Sequence, residues 1–221
     1  VNITAGLLPP PWLWGLWLLW ALTLLPLGSR EAWRPLRDPA RFNLWCVAAA
    51  IVFTLWSIRS GIQPGLGLHL LGATVLTLMF GPRLAQATLY MVTAAAALAG
   101  MAGPEAYPAN ALLAGAIPVW VSYGLLRTAE RRLPPQLFVF IFAGGFFNGA
   151  LAMAASVLAA AALHAAAGTY AAAYLTEYYL PYALLLCWGE AFITGMVIAL
   201  MVAYYPQWVM LFDDHRYLAR R

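Results

Sequence analysis

Residues 61–82 read GIQPGLGLHLLGATVLTLMFGP. From residue 65 to 81 the run is apolar and nearly long enough to cross a bilayer, which takes about 20 such residues. It carries His69, one of three histidines in the chain. Hydrocarbon cannot solvate an ionisable ring, so a histidine in a membrane segment is a functional-site candidate. The plainer reading is a histidine at the membrane–water boundary, bonded to water or to a carbonyl. Gly61, Gly65, Gly67 and Gly72 let backbone approach closely and loosen the start of the helix.

Outward from this stretch the chain has the same character. Of its 221 residues 64% are hydrophobic and 9% charged, against about 25% charged in a soluble domain. The apolar runs are too long for the alternating ten-residue strands of a barrel. An all-α polytopic membrane protein is expected, as a single transmembrane domain over residues 1–221. Seven spans are read, at about 11–27, 43–59, 65–81, 84–100, 108–126, 136–165 and 177–205.

Arginine placement sets the orientation. With the N-terminus outside, segments 28–42, 82–84, 127–135 and 206–221 are cytoplasmic and hold eleven of the twelve arginines, leaving Arg59 outside. The positive-inside rule therefore selects N-out, C-in, in the cell membrane. The same bias explains the net charge of +4 without a nucleic-acid partner. His69 and His164 then fall near the outer face, with the N-terminus.

Few features suggest enzyme chemistry. There is no HExxH, no GxSxG and no intramembrane carboxylate pair. The chain has no lysine and so no phosphate-binding loop of the GxxxxGK[ST] type. Any ATP hydrolysis belongs to other subunits, and no cofactor is expected. Cys46 and Cys187 read as isolated thiols in apolar runs. Asp213, Asp214 and His215 are metal-ligand types but read better as a solvated surface. Glycines and alanines in the sixth and seventh spans, Gly145, Gly149, Gly195 and Ala199 among them, suit tight helix packing.

Glu190 is the one carboxylate well inside a span, in CWGEAFITG. An ionised carboxylate is expensive there unless a cation or strong donors stand beside it. Two readings stay open: a substrate-path or gating residue, or an acid bonding a neighbouring helix through Asn148. Thr194 lies one turn along the same face.

Three motifs in order, VNITAGLLP at 1–9, HLLGATVLTLMFGP at 69–82 and GEAFITGMVIALMVAYYP at 189–206, carry a resemblance. The chain resembles the CbiM/NikM-type permeases of energy-coupling-factor ABC transporters, the substrate-specificity subunits of cobalt and nickel uptake. The likeness covers nearly the whole chain. It implies that the N-terminus folds into the bundle from outside. There the terminal amine, the amide nitrogen and imidazole of a histidine at position 2, and a histidine of the HLLG-like segment hold the ion. Carried over, these are Val1, position 2 and His69. Four nitrogens of this kind suit Ni(II). This sequence has Asn2 instead of histidine, and an amide side chain is a poor ligand for nickel or cobalt. Either His164 or a carboxylate substitutes, or the metal differs, or the cargo is not a bare ion. The resemblance also implies a transmembrane coupling subunit, cytoplasmic ATPase subunits and a small accessory membrane subunit as partners. The competing expectation is a membrane assembly or sensor protein that kept the fold without metal binding.

Overall fold

The computed structural model describes residues 2–4, 6–58, 60–61 and 63–217. Val1 and Arg59, named above, and Arg220 and Arg221, counted there among the cytoplasmic arginines, lie outside the described residues. The chain is mostly helical. Five helices are long and apolar enough to cross a membrane: α1 (Pro10–Gly28), α2 (Pro39–Ser57), α4 (Pro104–Arg132), α5 (Leu137–Ala166) and α6 (Ala172–Tyr204). Between α2 and α4 lies α3, Ala73–Leu98, which is broken at Gly81. The protein is a multi-pass membrane protein.

Proline and glycine explain most helix ends. Pro10 and Pro39 occupy first-turn positions, where a missing amide hydrogen costs nothing. The Asp38 side chain accepts from the Ala40 amide and caps α2. The expected span at 65–81 differs from what is observed, because helix begins only at Ala73. Residues 60–61 and 67–68 instead form a two-residue antiparallel pair, and Gly72 is left-handed at φ 68°. A side chain at that φ would be strained, so the glycine stops the helix from extending backwards.

Gly81, at φ 78° and ψ 165°, reverses the chain. A straight helix of the 26 residues of α3 would be about 39 Å long. Yet His69, just before its start, shares a cavity with Thr93 and Ala96 near its end. The segment 73–80 therefore runs one way and 82–98 returns. Pro82 lacks the amide that a continuous helix would need.

Hydrogen bonds sort the connections into two ends of the bundle. At one end the Gly6 amide donates to Glu105 Oε1, Thr169 Oγ1 to Leu7 O, and Tyr170 Oη to Pro64 O. At the other, Arg83 reaches Ser29 Oγ, Arg41 reaches Gln207 O and Arg216 reaches Glu130 O. The tail joins this second end: the amides of Met210 and Leu211 donate to Met79 O and Leu78 O, at 3.2 and 3.1 Å. Those carbonyls close segment 73–80, where helix geometry leaves them without partners.

The bundle is centred on α3 and α4, while α1 has no buried residue. A polar group bolts α1 in place. Fully buried Gln86 donates to Thr23 O and accepts from Trp120 Nε1, joining α1, α3 and α4. Helices α5 and α6 meet through small residues. A Cβ on Gly149 would lie 3.0 Å from Thr194 and 3.2 Å from the Glu190 carbonyl. Gly149→Val is therefore expected to force the two helices apart, at a cost of about 1–3 kcal/mol. A lowered thermal midpoint in detergent checks this.

Candidate functional site

The site forms where the N-terminal segment enters the first end of the bundle. Asn2 bridges Gly67 as a third strand position. Its Nδ2 donates to Met101 O at 2.9 Å. The next residue is held more firmly. Ile3, fully buried, donates its amide to Asn110 Oδ1 at 2.6 Å, and its carbonyl accepts from Asn110 Nδ2 at 3.0 Å. One side chain thus satisfies both backbone groups of Ile3, as a neighbouring strand would. Asn110 lies just before a stretch of π-helix at Leu112–Ala116, whose Leu113 carbonyl is taken up by Ser156 Oγ.

His69 is 5% exposed and stands beside this clamp. Its ring lies 4.6 Å from the Trp56 ring, centroid to centroid. Its Nδ1 is 3.0 Å from Leu70 O. A carbonyl only accepts, so Nδ1 is the donor in this contact. His69, Asn2, Trp56, Thr93, Met101 and Asn110 line a cavity of about 20 Å³. That is room for about a single water or bare ion, not for an organic chelate.

Glu190 sits below the histidine loop, 3% exposed. Its Oε2 accepts from the Leu71 amide and its Oε1 from the Gly72 amide, each at 2.8 Å. The expected partner Asn148 turns elsewhere, donating to Ser122 O in α4. Thr194 lies one turn on and packs on Gly149.

His164 is fully buried and does not line the cavity. Its Nε2 pairs with Gly65 O at 3.1 Å, and its ring meets Tyr170 edge-on. Burial, with Tyr174 nearby, holds the Tyr170 phenol above its ordinary pKa. It therefore stays a donor to Pro64 O at neutral pH. His164 and Tyr170 thus anchor the loop that leads to His69, and His164 does not stand in for the imidazole missing at position 2. In the tail, Asp213 Oδ1 accepts from the amides of His215 and Arg216, which is a turn cap. Among the described residues no three His, Cys, Asp or Glu side chains gather as a metal cluster. Asn2, His69 and the Ile3 clamp are therefore brought together, with Glu190 behind them. Sequence reasoning missed Asn110 and Trp56. An amide within the apolar run of 108–126 was the available signal for Asn110.

Comparison with known proteins identifies the family and the fold. The profile of the family described as the cobalt uptake substrate-specific transmembrane region, CbiM, matches residues 2–208. A putative cobalt transport protein, CbiM 1 of Methanosarcina barkeri, is 25% identical over 154 residues. That match spans 69% of this chain and 64% of the relative, just under two thirds of its length. Two crystal structures, of a transition metal transporter and of a truncated form described in the same words, superpose with TM-scores of 0.74 and 0.75 at 22% identity. Each covers 92% of this chain, and the matches take in 93% and 99% of theirs. They share its fold. The chain belongs to the CbiM family of cobalt uptake substrate-specific transmembrane regions.

Proposed function

We propose that this chain is the substrate-specificity subunit of an energy-coupling-factor-type importer for a divalent transition-metal ion, cobalt or nickel. The observation that carries the reading is the ion-sized cavity between His69 and the clamped N-terminal segment. The donors proposed are His69 Nε2, the backbone nitrogen of Asn2 and the amine of Val1. An amide nitrogen can join such a set when Ni(II) displaces its proton, which leaves to solvent. The Asn2 side chain fastens the segment to Met101 O instead of supplying the fourth nitrogen. A water or Met101, which lines the same cavity, completes the coordination.

Seven crossings fit the two-ended arrangement when 65–81 is counted as one, extended before Ala73, and 82–98 as the next. The arginine-rich end then faces the cytoplasm and the cavity faces outside. A transmembrane coupling subunit, cytoplasmic ATPase subunits and a small accessory membrane subunit complete the importer. ATP-driven motion of the coupling subunit reorients this bundle and releases the ion inside.

A second reading, an assembly or sensor protein without metal binding, is favoured by one observation: the Asn2 side chain is already engaged. Metal analysis decides between them. Purified protein exposed to Ni(II), Co(II), Cu(II), Zn(II) and Mn(II) in turn is expected to retain one equivalent of Ni(II) or Co(II). Retention of none by folded protein refutes the importer reading.

A further inference from the structure

We propose that Glu190 is a positioning residue for the ion site: it holds the His69 loop at a fixed height through the backbone without touching the ion. The proposal deepens the reading above and rests on His69 being a ligand. Glu190 is buried in the middle of α6, and the one ion pair among the described residues is Arg127 with Glu130, at the far end of the bundle. Its partners are instead two consecutive amides, one on each oxygen. These open segment 73–80, where helical amides have no partners of their own and the helix dipole favours an anion. Both carboxylate oxygens are thus engaged by the loop.

The consequence reaches His69 by short directional steps. The Leu71 carbonyl, on the same residue whose amide Glu190 holds, accepts from Trp56 Nε1 at 3.2 Å. The Trp56 ring in turn lies against the His69 ring, and His69 Nδ1 meets Leu70 O. The peptide before Gly72 is therefore gripped from α6 on one side and α2 on the other. At its opposite end segment 73–80 is gripped by Met210 and Leu211. A segment held at both ends cannot slide along the bundle axis, and the histidine four residues before Ala73 inherits that fixed height.

The chemistry singles out a carboxylate. Glutamine offers one acceptor oxygen and an NH2 group, which would face the second amide donor to donor. Aspartate keeps both acceptors but falls one methylene short. On the full chain, Glu190→Gln is expected to weaken Co(II) or Ni(II) binding at least tenfold. It is also expected to displace the imidazole 15N resonance of His69 in metal-free protein, assigned with a His69→Gln variant. Glu190→Asp should fall between Gln and the parent on both readouts. Parent-like affinity together with an unmoved His69 resonance in Glu190→Gln would overturn the proposal. Should Glu190→Gln fail to fold, Glu190→Asp decides by the same two readouts: displacement supports the proposal and parent behaviour overturns it. Should the parent bind no ion, the importer reading falls by itself. The metal-free His69 resonance still decides whether Glu190 positions the ring.

Discussion

Replacing His69 with alanine is expected to abolish retention of Co(II) or Ni(II) while leaving the bundle folded. Changing groups that merely orient a metal ligand costs about 10–100-fold in affinity, and loss of a ligand exceeds that. The cavity offers no replacement. His164 is committed to Gly65 O, and among the described residues no further cluster of ligating side chains exists. The structural cost is small by comparison. The ring contact with Trp56 is worth about 0.5–1.5 kcal/mol, and the loop keeps its bonds to Glu190, Trp56 and His164. Equilibrium dialysis measures the loss, and size-exclusion profile and thermal midpoint show that the fold survives. His164→Ala is the contrasting variant. It removes the anchor of Gly65 and is expected to lower the thermal midpoint, yet one equivalent of ion is still retained. If His69→Ala binds ion as the parent does and His164→Ala does not, the ligand assignment is wrong.

Some of this arrangement was legible in the sequence. Long apolar runs are local compositional signals, so a mostly helical, multi-pass membrane protein was legible in them. The third helix starts later than expected for a reason written in its own glycines. Gly65, Gly67 and Gly72 were read as loosening a helix, whereas they permit an extended hairpin and a left-handed stop, so helix begins only at Ala73. The gap left between the expected spans 65–81 and 84–100 coincides with the break at Gly81–Pro82. What the sequence could not show is pairing over long separation. Glu190 finds Leu71 and Gly72 across almost 120 positions, and Asn110 finds Ile3 across 107. Nothing near Glu190 distinguishes an anion that serves a cargo from one that serves two amides. Asn148 was a reasonable partner by depth alone and proved to face α4. The motif resemblance placed His69 and the N-terminal segment together, which no local pattern would have done.

Asn110→Ala is expected to release the N-terminal segment and to weaken ion binding about 100-fold. The Ile3 amide and carbonyl both depend on this side chain in a fully buried position. Leaving each without a partner costs about 1–3 kcal/mol, and each 1.4 kcal/mol is about a factor of ten in an equilibrium. The cheapest response is for residues 2–4 to withdraw into water, where solvent satisfies both groups. The remaining ties, Asn2 to Met101 O, Gly6 to Glu105 and Leu7 to Thr169, include bonds at exposed or half-buried positions that water competes for. Withdrawal opens the cavity beside His69 and removes the proposed backbone donors together. Asn110→Asp separates the two bonds. It keeps an acceptor for the Ile3 amide but loses the donor to its carbonyl, so an intermediate loss is expected. The sequence contains no lysine, so in protein prepared with a free amine on Val1 an amine-reactive reagent reports on that amine alone. Its labelling rate is expected to rise in Asn110→Ala and to fall again when excess Co(II) or Ni(II) draws the segment back. Parent-like affinity and labelling in Asn110→Ala would mean that the segment is held by its outer contacts, and that the clamp on Ile3 does not govern the ion site.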